Sequence, residues 1–117
     1  MMSKQEDVVQ IGTSLSGKET LRFLIDELKW FDLQNTALKF AITVAIKYQL
    51  PVETRNTLTT SHNVSSLDSD QSLAKIMMDL FPGLPPYKTA QVLADVGLEF
   101  IQEKIRNENW RISDFVS

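Results

Sequence analysis

One segment limits the fold more than any other, the stretch from Leu33 to Gln49 that precedes Pro51. Leu33, Ala37, Phe40, Ala41, Val44 and Ala45 recur at helical spacing, and Leu38, Ile42 and Ile46 extend apolar character round most of the remaining circumference. A helix that is apolar on nearly every side must be covered on more than one side, by its own chain or by another. Asp32 or Asn35 is placed to cap its start, and Pro51 opposes continuation beyond about Gln49.

The segments around it read as follows. Val8 to Leu15 alternates, with Val9, Ile11, Thr13 and Leu15 on one face and Val8, Gln10, Gly12 and Ser14 on the other, which predicts one short strand. Ser16-Gly17-Lys18-Glu19 has the form of a capping box and predicts a helix start, with Leu21, Leu24, Ile25, Leu28 and Phe31 as its buried stripe. Phe23 and Trp30 form a second, smaller apolar face on that helix.

Residues 52–68 are rich in Thr, Ser, Asn and Asp and read as an exposed connection or a poorly paired hairpin. A third helix follows, capped by Ser69 or Asp70, with Leu73, Ile76, Met77, Leu80 and Phe81 as its stripe before Pro82-Gly83. Pro85-Pro86 opens a fourth helix to about Arg106, burying Ala90, Leu93, Ala94, Gly97, Leu98, Ile101 and Ile105. Gly97 costs about 1 kcal/mol in that helix relative to alanine, unless it permits close approach of another helix. The tail carries Trp110, Ile112, Phe115 and Val116 without clean period and is expected to dock on its own chain.

The expectation is thus a mainly α protein, a short N-terminal strand followed by four helices. Its 117 residues fit one integrated domain, with residues 1–51, 52–68 and 69–117 as successive regions. There is no cysteine, which excludes disulfides and thiolate chemistry and fits a reducing compartment, the cytoplasm. No apolar run reaches the roughly 18 residues of a membrane span, so no membrane partner is expected.

Catalytic constellations are hard to assemble from these residues. His62 is the single histidine, in Thr60-Ser61-His62-Asn63, and reads as an ordinary loop residue. Asp95, Glu99 and Glu103 at four-residue spacing read as a solvated stripe, and Asp68-Ser69-Asp70 as helix capping. Neither a metal site nor a phosphate-binding glycine loop is present, so the expectation is a binding protein with no cofactor and no enzymatic activity.

The order strand, capped helix, turn, second helix over residues 8–50 resembles the ribbon-helix-helix family, the Arc and MetJ repressor class. Asn35-Thr36-Ala37-Leu38-Lys39-Phe40-Ala41 is similar to the polar start and Ala-containing apolar run of that family's second helix. The resemblance implies a homodimer whose strands pair across the two chains, with a C-terminal helical extension, acting as a DNA-binding transcriptional regulator or an accessory protein of a DNA-acting system. It implies Gln10, Gly12 and Ser14 facing the groove of double-stranded DNA, and Asn35, Thr36 and Lys39 near phosphates. It also implies a dimer interface of Val9, Ile11, Phe40, Ala41, Val44 and Ala45.

Charge distribution weighs on this reading. Residues 1–50 hold six basic and six acidic side chains, and residues 51–117 six basic and nine acidic, which makes the rear half acidic. Phosphate binding relies on an excess of cations. The alternative is a helical protein-protein interaction adaptor, or a small subunit of a larger complex, whose apolar surface meets another protein without DNA.

Overall fold

A computed structural model describes residues 7–52 and 61–117. In chain order these form β1 (Gln10–Gly12), α1 (Leu15–Arg22) running on into a π-helical turn (Phe23–Glu27), α2 (Gln34–Lys47), β2 (Ser61–Asn63), α3 (Val64–Leu67), α4 (Ser72–Leu80), α5 (Pro86–Glu108) and α6 (Ile112–Val116). The protein is mainly helical, as the hydrophobic periodicities require, and no helix among the described residues is long and apolar enough to cross a membrane.

The strand expected near the N-terminus is present but shorter than its alternating pattern. Only Gln10–Gly12 is extended in a ladder, because Leu15 already belongs to α1. Its partner lies in the same chain: β1 pairs antiparallel with β2, Gln10 opposite Asn63, Ile11 opposite His62 and Gly12 opposite Ser61. The Val64 amide adds a bond to the Val9 carbonyl at 3.0 Å. A strand needs partners for its amides and carbonyls, and β2 supplies them without a second molecule. Of the segment read as an exposed connection or a poorly paired hairpin over 52–68, residues 53–60 lie outside the described ones, and residues 61–67 form β2 and α3, with Leu67 and Asp68 buried.

The N-cap of α1 lies two residues before the expected one. Ser14 is the N-cap and its hydroxyl accepts from the Gly17 amide at 3.1 Å. The last turn widens to π geometry and closes at Lys29, which takes a left-handed φ of 56° while the Trp30 amide reaches the Leu24 carbonyl at 2.9 Å. That is the backbone form of a helix stop usually given to glycine.

α2 begins directly after Leu33, with no side-chain cap, so neither Asp32 nor Asn35 caps it. It ends at Tyr48 and a left-handed Gln49, φ 53°, before Pro51. Its apolar circumference is covered from within the chain. Ala37, Leu38, Ala41, Ile42, Val44 and Ala45 are all buried, and α5 is its principal neighbour. The fourth helix of the sequence, expected as part of a C-terminal helical extension, is thus the other half of the core.

At the α2–α5 crossing Gly97 lies against the backbone of Ala41, so close that a methyl built on it would overlap the Ala41 carbonyl and stand 2.8 Å from its carbon. The close approach that offsets a mid-helix glycine is there. One continuous core then runs from Ile11 through α1, α2, α4 and α5 to Phe115.

The tail docks on its own chain. Phe115 of α6 is fully buried, its ring 4.9 Å from Trp110, 6.1 Å from Phe40, 6.2 Å from Trp30 and 6.4 Å from Phe100. Lys47 Nζ donates to the carbonyls of Phe115 and Ser117 at 3.0 and 2.8 Å, which ties the end of α2 to the end of α6 where free carbonyls favour a cation. Trp30, read as part of a second apolar face of the first helix, is spent on this cluster.

Candidate functional site

Two surfaces compete for function: the N-terminal strand with the start of α2, and the exposed flank of α4.

At the first, the structure uses several predicted contact residues to hold the chain together. The Gly12 amide donates to Gln91 Oε1 at 2.9 Å and the residue is buried. Ser14 donates from its amide and its hydroxyl to Asp95 Oδ1 at 2.9 and 2.8 Å. Asp95 is buried on α5, which corrects its reading as one member of a solvated carboxylate stripe. A carboxylate taken out of water needs donors, and those of Ser14 are at hand. Since the Ser14 hydroxyl also caps α1, Asp95 fixes the junction of β1, α1 and α5. Gly17 is part of the same fit, since a side chain there would run into the Asp95 carboxylate.

Gln10 is exposed on β1, and at the start of α2 Asn35 is half-buried while Thr36 and Lys39 are exposed. β2 comes up against the same end of α2, where His62 Nε2 and Gln34 Oε1 are 2.6 Å apart. His62 is therefore a strand residue in a polar contact, not a free loop side chain. Burial lowers its pKa below the usual imidazole value, partly opposed by the backbone of Ile11. The first turn of α2 has neither an acidic residue nor a side-chain cap, so its amides retain their pull on an anion. Asp70 stands within electrostatic reach of Lys39; its carboxyl is held below the usual range by the Ser72 amide and hydroxyl, with Lys39 a smaller contributor.

Of the residues implied for a dimer interface, Ile11, Ala41, Val44 and Ala45 are fully covered by their own chain and have no surface left to offer a second copy. Phe40 is half-buried against Phe31 and Phe115. Val9, 78% exposed, is the one with free apolar area.

The second surface was only half visible in the sequence. α4 is held from below by Asp68, whose two oxygens accept from the Leu73 and Ala74 amides at 2.9 and 3.0 Å and whose Oδ2 also takes the Tyr87 hydroxyl at 2.7 Å. The aspartates here cap a helix as expected: Asp70 accepts from the Ser72 amide at 3.1 Å while the buried Asp68 takes the next two amides, and Gln71 makes the left-handed entry at φ 61°. Burial, then the Asp68 bond and charge, push the Tyr87 phenol up to about 12. Asp7 completes the arrangement by accepting from the Tyr87 and Lys88 amides at 3.0 and 2.8 Å.

With Leu73, Ala74 and Met77 turned inward, Ile76 and Leu80 fall one turn apart on the same flank, 48% and 50% exposed, and Leu84 follows at 42%. Reading Ile76 and Leu80 as core stripe is corrected accordingly. Leu80 also borders a groove of about 410 Å³ between the ends of α2 and α4, lined by Ala45, Ile46, Leu50, Val52, Phe81 and Leu93. The available signal was quantity: Leu73, Ile76, Met77, Met78 and Leu80 in a nine-residue helix exceed what one buried stripe holds.

Among the described residues, no group of three His, Asp or Glu side chains is arranged to hold a metal ion. Comparison with protein-family models, curated proteins and solved structures finds no match.

Proposed function

We propose that the chain is a non-catalytic interaction module that presents the flank of α4 and the adjoining groove to an apolar, helix-forming segment of another protein. The observation that carries this reading is Leu80, half-exposed one turn from the equally exposed Ile76 on α4 and at the same time part of the lining of the groove beside α2. An exposed apolar helix flank that runs into an apolar groove marks an interaction site. An amphipathic helix fits such a groove by seating its own aliphatic residues one turn apart. Charge plays little part here, since most of the groove lining is aliphatic or aromatic.

The test is site-specific photo-crosslinking in the cells that make the protein. A photoreactive residue at Leu84 is expected to give one defined protein adduct that Leu80→Glu abolishes, while the same probe at exposed Thr43 gives none. Equal labelling from both positions, or an adduct indifferent to Leu80→Glu, would overturn the proposal.

A second reading, a DNA-binding regulator or accessory protein, is favoured by the uncapped, non-acidic start of α2 with Thr36 and Lys39 exposed beside it. It relies on phosphate contact rather than on a ribbon, because the backbone of β1 is engaged with β2. Titration with duplex DNA at low salt decides it: binding that weakens steeply with added salt and is lost in Lys39→Glu supports it, and no binding rejects it.

A further inference from the structure

We draw no further inference here: the strongest candidate, the open cavity between the N-terminal strand and α3 bordered by Val8, Val9, Asn63, Val64 and Tyr87, carries nothing, because its buried carboxylate, Asp68, is already spent on capping α4 and holding Tyr87, and nothing in the structure shows what would occupy it.

Discussion

Gly97 on α5 rests against the carbonyl of Ala41 on α2, and no side chain fits between them. This contact sets how closely the two central helices approach, and through them how completely α2 is covered. Gly97→Ala therefore opposes two effects. Helix propensity alone would stabilise by about 1 kcal/mol. Forcing a methyl into backbone, which cannot move aside as a side-chain tip can, costs more, and the expected net loss is about 2 kcal/mol or greater. Urea unfolding followed by circular dichroism checks the sign; a more stable variant would show that the crossing is looser than described.

In the sequence, close approach of another helix is only the condition under which Gly97 is not costly; which helix comes up against it depends on the packing of α2. Four of the six helices and their approximate bounds were legible, since α2, α4 and α5 carry periodic apolar residues between proline and capping signals, while the short α3 and α6 have no such periodicity. β2 was not legible either. Ser61-His62-Asn63 has no alternation or β-branched side chain, and its strand conformation comes from the position of β1 rather than from its own preference. Asp95 was obscured by Glu99 and Glu103 along the same helix, and nothing local distinguishes a carboxylate that meets Ser14 from one that meets water. Ser14 and Ser16 both satisfy the N-cap preference two residues apart; the bonds of Ser14 to Asp95 favour the earlier.

The Asp95–Ser14 junction predicts non-additive stability. Asp95→Ala removes the acceptor of two donors, at an expected cost of about 2–3 kcal/mol, and Ser14→Ala removes an N-cap at about 1 kcal/mol. Because the Ser14 hydroxyl acts on Asp95, the double variant is expected to lose less than the sum by about 1 kcal/mol. Chemical denaturation of the four proteins measures this, and strict additivity would mean that the two side chains do not depend on each other.

Tyr87 gives a pH signature. Its phenol is raised to about 12 by burial and by donating to Asp68, against an ordinary value of about 10. A folded-state value above the unfolded one stabilises the fold fully below about pH 10, and that contribution is lost as pH rises through about 12. Ultraviolet titration of the folded protein should show one phenol ionising near 12, absent in Tyr87→Phe and shifted downward in Asp68→Asn. A spectrum of Tyr87 ionising near 10 would place its hydroxyl in water, away from Asp68.

The N-terminal strand finds its partner within one copy of the chain. Gln10 and Asn63 are opposite each other in the β1–β2 ladder, both are exposed, and the native sequence has no cysteine to interfere. The most direct measurement is mild oxidation of the Gln10→Cys, Asn63→Cys double variant, read by intact mass and non-reducing electrophoresis. The predicted result is a bridge inside single chains of monomer size. Failure to close that bridge, together with disulfide-linked dimers formed by Gln10→Cys alone, would show that the strand pairs across two molecules and would contradict the self-contained core.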